Sequence, residues 1–74
     1  MSKPPLLSGR AIVKAFIRAG YTAVHQRGSH VKLADPGRES ILIVPDHAEV
    51  DRWLLKNLIK DAGMSVEEFI RYTR

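Results

Sequence analysis

Thr22-Ala23-Val24-His25-Gln26-Arg27-Gly28-Ser29-His30-Val31-Lys32-Leu33-Ala34 is the stretch that decides the fold. Two runs of strand formers flank a glycine, the pattern of an antiparallel hairpin. The turn reads as Arg27-Gly28. With that two-residue loop, His25 faces His30 and Val24 faces Val31; a four-residue loop from Gln26 to Ser29 keeps the same pairing. An odd-numbered loop sets Val24 against Lys32 and mixes apolar with charged positions on one face, so the even register is expected. It gathers His25, His30 and Lys32 on one face and Val24, Val31 and Leu33 on the other. Directly opposed residues carry Cβ atoms ~4.5–5.5 Å apart, close enough to share a phosphate.

On the N-terminal side, Ser8 is a good helix N-cap and Ile12, Val13, Phe16 and Ile17 make one apolar stripe. Arg10, Lys14 and Arg18 recur every four residues on another face. Gly20 suits a C-terminal cap, so a helix is predicted over 8–19. After the hairpin, Asp35-Pro36-Gly37-Arg38 is a turn signal. Ser40-Ile41-Leu42-Ile43-Val44 reads as a nearly continuous apolar strand, the most buried of the three, and Pro45 stops it. Asp46-His47-Ala48-Glu49 is a polar connection.

From Val50 the helical period resumes. Val50, Leu54, Leu58 and Ala62 form a row that Leu55 and Ile59 widen, and Gly63 marks its end. Trp53 lies near the stripe's edge and is read as packing there, with base stacking as its other use. Ser65 with Glu68 three residues on is a capping box for a short last helix over 66–72, docked by Phe69 and Ile70.

The order helix, strand, strand, strand, helix implies an α+β two-layer sandwich. A three-stranded antiparallel sheet carries both main helices on one face, and a short extra helix follows. The other sheet face is left to solvent or a partner. Residues 1–7, with Pro4 and Pro5 and no period, read as a flexible arm; residues 8–74 form the single domain.

Composition narrows the chemistry. The 74 residues allow one small core, so any site is expected at the surface. Twelve Lys and Arg against eight Asp and Glu leave a formal charge of +4, which favours an anionic partner. With no cysteine, thiolate metal sites, disulfides and cysteine nucleophiles are excluded. No apolar run reaches the ~20 residues a membrane span needs, and the N-terminus has no signal-peptide core, so a cytoplasmic location is expected. No Gly-rich phosphate loop or nucleophile elbow is present. The two long helices are separated by three strands and make no helix-turn-helix, so direct DNA binding is not expected.

What remains is Gln26-Arg27-Gly28-Ser29-His30, a histidine beside a glycine turn and two cations, Arg27 and Lys32. A histidine on an exposed strand is otherwise a solvated polar residue. Here its neighbours suit phosphate, and an imidazole can take or give a proton near neutral pH. His47, just past the third strand, is expected near Ser29 and His30, with Lys56 from the second helix bordering the same spot. No second ligand sits at i+2 or i+4 from His30, so no metal is expected.

The run from Ser8 to Ser65 resembles the HicA-type toxins, also called the YcfA-like family of mRNA interferases. The resemblance rests on Ala19-Gly20-Tyr21, Gln26-Arg27-Gly28-Ser29-His30, Val44-Pro45 with His47 two residues on, and Leu58-Ile59-Lys60-Asp61-Ala62-Gly63-Met64. It implies a fold like that of double-stranded-RNA-binding (dsRBD-like) domains and mRNA cleavage by a histidine at position 30, without a metal or other cofactor. It also implies silencing by a HicB-type antitoxin that binds over the active-site region. Where the family usually carries Gly-Thr at the start of the second helix, this chain has Trp53-Leu54.

The expected function is therefore that of a type II toxin, an endoribonuclease acting by histidine acid–base chemistry. His30 is the catalytic candidate; Arg27, Gly28, Ser29, Lys32, His25, His47 and Lys56 are the RNA-binding candidates. The alternatives are a non-catalytic RNA-binding module and a protein-interaction domain.

Overall fold

A computed structural model describes residues 3–37 and 40–74. The elements run α1 (Gly9–Arg18), β1 (Thr22–Arg27), β2 (His30–Asp35), β3 (Ser40–Pro45), α2 (Arg52–Asp61) and α3 (Val66–Arg71). The three strands form one antiparallel sheet in the order β1-β2-β3. This is the expected α+β architecture with its short third helix. Arg38, the last residue of the second turn signal, lies outside the described residues.

Each helix begins on a side chain that the sequence supplies. Ser8 Oγ accepts the Ala11 N–H at 3.1 Å, Asp51 Oδ1 accepts those of Trp53 and Leu54 at 2.7 and 3.4 Å, and Ser65 Oγ accepts that of Glu68 at 3.0 Å. These bonds satisfy N–H groups that a helix start leaves without partners.

The core lies between the helices and one sheet face. Val31, Leu33, Leu42 and Val44 point inward onto Ile12, Phe16, Leu55, Leu58 and Ile59. An aromatic cluster closes one end: Phe16 sits 5.5 Å from Tyr21, edge to face, and 5.0 Å from Phe69. The Tyr21 hydroxyl reaches Ser40 Oγ at 2.9 Å, so its polar end is satisfied though the residue is buried.

The hairpin departs from its expected register. Its loop is Gly28-Ser29, not Arg27-Gly28, and the pairs are Arg27 with His30, Gln26 with Val31 and His25 with Lys32. Gly28 has φ +58°, the left-handed value that the first position of a primed two-residue turn requires. The pairing has therefore slipped by two residues, which leaves His25 and Gln26 on their expected faces and brings Arg27 out of the turn into β1. A bulge between Ala23 and His25 then throws Val24 out, and it is 53% exposed instead of facing inward with Val31.

Other expectations need correction. β3 alternates rather than being buried throughout: Leu42 and Val44 face the core while Ile41 and Ile43 are half-exposed on the open face. Ile17 of α1 is also exposed, because the buried stripe centres on Ile12, Ala15 and Phe16. Trp53 does not pack on the sheet edge and is 73% exposed. In the segment read as an arm, Pro4 is buried and its carbonyl accepts Arg52 Nε–H at 3.1 Å, while the Leu7 carbonyl accepts the Val50 N–H at 2.8 Å.

Candidate active site

The open face of the β1–β2 hairpin carries the basic group. His30 is the first residue of β2, immediately after the turn, with Arg27 opposite it on β1 and Pro45 opposite it on β3. His25 faces Lys32 one pair further along. Since opposed residues share a face, His25, Arg27, His30 and Lys32 form a square of basic side chains, all exposed. The structure thus brings His25 and His30 together as a diagonal pair, not as the directly opposed pair the sequence suggested.

His47 approaches from the other side. The loop after β3 is held twice by backbone. The Asp46 N–H donates to the Ser29 carbonyl, and the Gly9 N–H donates to the His47 carbonyl at 2.8 Å. Each of these bonds has a histidine at or next to it, so the two imidazoles hang from backbone that is tied together. They line one open cleft of about 610 Å³. Ile43, Pro45, Glu49, Val50, Asp51 and Leu54 complete its lining.

Gly9 makes this closure possible. A Cβ there would stand 2.9 Å from Asp46 Cα and inside the contact distance of the Pro45 carbonyl oxygen. Only a residue without a side chain lets the first turn of α1 lie against the loop that carries His47.

Of the sequence candidates, His30 and His47 line the cleft. Gly28 and Ser29 form the turn beside it, and Arg27, Lys32 and His25 lie on the adjoining sheet face. Lys56 does not border it. Its Nζ sits 5.4 Å above the Trp53 ring, in a separate depression between α2 and α3. Glu49 and Asp51 were missed as cleft residues. Asp51 carried one signal, an N-cap residue just before an apolar period; Glu49 carried none. Among the described residues no group of three or more His, Cys, Asp or Glu side chains is placed to hold a metal ion. No helix among them is long and apolar enough to cross a membrane.

Two imidazoles on one open cleft, beside fixed cations, can move protons on an anionic ligand. Fold and cleft together define a small basic α+β domain of α-β-β-β-α order that presents its histidines at the surface. Residues 9–64 match the family described as HicA toxin of bacterial toxin–antitoxin systems, and the chain belongs to that family. Membership gives it a toxin role and an antitoxin as partner. A search of curated proteins finds no match.

Proposed function

We propose that this protein is a metal-independent endoribonuclease that cuts mRNA with a pair of histidines, His30 and His47. The observation that carries the reading is that both line one open cleft adjoining Arg27 and Lys32. RNA brings its own nucleophile, the 2′-hydroxyl. One imidazole, neutral, takes its proton as the 2′-oxygen bonds to phosphorus. The bond from phosphorus to the 5′-oxygen breaks, and the other imidazole, as imidazolium, returns a proton to that oxygen. The products are a 2′,3′-cyclic phosphate and a free 5′-hydroxyl, and water opens the ring to a 3′-phosphate.

Arg27 and Lys32 offset the charge that builds on the phosphorane, and the Gly28 and Ser29 amides add hydrogen bonds. His25, paired with Lys32, binds the neighbouring phosphate. A HicB-type antitoxin silences the enzyme by covering the cleft, and the site of action is the cytoplasm, where mRNA is translated.

The test is cleavage of single-stranded RNA in EDTA. Wild type gives cyclic-phosphate ends, and His30→Ala cuts ~10²–10⁴-fold more slowly. Expression of wild type arrests growth, and expression of His30→Ala does not. The wild-type rate passes through a maximum with pH, because one ring must be neutral and the other charged; His47→Ala removes one limb of that curve. Undiminished cutting by His30→Ala would overturn the assignment of His30, and absence of cutting by wild type would overturn the nuclease reading in favour of a binding module. A wild-type pH profile from His47→Ala would exclude His47 as the second group.

A further inference from the structure

We propose that Trp53, Lys56 and Lys60 form a single-stranded RNA subsite beyond the cleft, with the indole as a platform for a base. The proposal rests on the endoribonuclease reading and names where the substrate strand continues.

Trp53 is the chain's one tryptophan, and it is 73% exposed in the first turn of α2. Nothing in the core needs it. An exposed indole covers a large apolar area and donates a single N–H, so its use is recognition rather than folding. Lys56 Nζ lies 5.4 Å from the ring centroid, and Lys60 lines the same depression of about 430 Å³. The two lysines are one helical turn apart, about 6 Å along the axis. Lys56 covers one face of the indole, and the ring's 73% exposure leaves room for a base to stack with both lysines near its phosphates, the recurring arrangement for single strands.

The depressions adjoin through shared residues. The histidine cleft and a second hollow share Glu49, Val50 and Asp51, and that hollow shares Trp53 with the depression holding the lysines. A strand leaving the cleft therefore crosses a sill of Glu49 and Asp51, with Arg52 beside them, before it reaches the indole. Carboxylates repel phosphate but accept hydrogen bonds from the exocyclic amino groups of bases. Asp51 Oδ1 is also occupied by the N–H groups of Trp53 and Leu54. The sill thus turns the bases inward and the phosphates outward, the orientation in which the next base meets the Trp53 ring and its phosphate meets the lysines.

The indole is its own reporter. Titrating wild type with a 2′-O-methyl oligoribonucleotide, which cannot be cut, is expected to quench Trp53 fluorescence saturably. Trp53→Ala is expected to weaken binding roughly 5- to 140-fold, the value of one stacked base, and Trp53→Phe to recover most of it. Lys56→Ala with Lys60→Ala lowers affinity and flattens its salt dependence. Cleavage of a dinucleotide, too short to span the sill, stays at the wild-type rate in Trp53→Ala. Unchanged fluorescence and affinity would overturn the subsite while leaving the histidine chemistry standing. Quenching by the purified antitoxin but not by RNA would overturn it as well, marking the face as a protein surface. If wild type binds and quenches but never cuts, the fault lies with the nuclease reading instead.

Discussion

Gly9 controls the candidate site without lining it. Alanine is normally the better residue inside a helix by ~1 kcal/mol, so Gly9→Ala on propensity alone would stabilise α1. The contacts with Pro45 and Asp46 set the opposite sign. Overpacking against backbone costs ~1–3 kcal/mol, and the loop must swing away to relieve it. Gly9→Ala is therefore expected to lower the melting temperature by roughly 4–8 °C per kcal/mol and to shift the His47 ring resonances more than those of His25. An unchanged melting point with unmoved His47 signals would refute this. Gly28 is a different case. A Cβ there meets nothing within 4 Å, and its constraint is purely the left-handed backbone.

α3 depends on one side chain. Six residues are too few to hold a helix in water, and of these only Phe69 is fully buried, against Phe16. Arg18 adds a clamp from α1, its guanidinium donating to the Tyr72 and Arg74 carbonyls at 3.1 and 2.9 Å. Phe69→Ala is expected to cost ~3–5 kcal/mol in urea denaturation and to strip amide protection from 66–71. A loss below ~1 kcal/mol would mean that the surrounding packing, not this ring, holds the segment.

Ser65, Glu68 and Phe69 announce that helix in the sequence, as Ser8, Phe16 and Gly20 announce the first. Periodicity and caps are local, so they can be read directly. The hairpin shows where local reading stops. Gly28 marks the turn, but whether it stands first or second depends on the dihedrals of both loop residues. The bulge at Val24 has no marker at all. Ile41 and Ile43 read as buried because an apolar run does not say that the sheet lacks a second helical layer. The site divides in the same way. His30 and Arg27 stand out beside their turn. The approach of His47 to Ser29 and His30 is also legible, from antiparallel order, whereas the tie through Gly9 is long-range and has no local marker.

Across the surface, charge is not spread evenly. The β1–β2 side of the open sheet face is basic, with His25, Arg27, His30 and Lys32, whereas the β3 side shows Ile41 and Ile43. Binding of RNA to the basic side should release counterions, and on single strands each neutralised phosphate adds about 0.7 to the log–log salt slope. Arg27→Ala with Lys32→Ala is expected to reduce the slope by roughly 1.4 at unchanged melting temperature. An unaltered slope would place the strand elsewhere.

The bonds from Asp46 to Ser29 and from Gly9 to His47 join three segments that leave the ribosome at different times. A nascent chain that has emerged only as far as β2 already presents His30, while His47 and the residues across the cleft are still inside the ribosome. The cleft is therefore complete only once residues 46–54 have followed the hairpin out. Until then an antitoxin meets a chain whose histidines are not yet assembled.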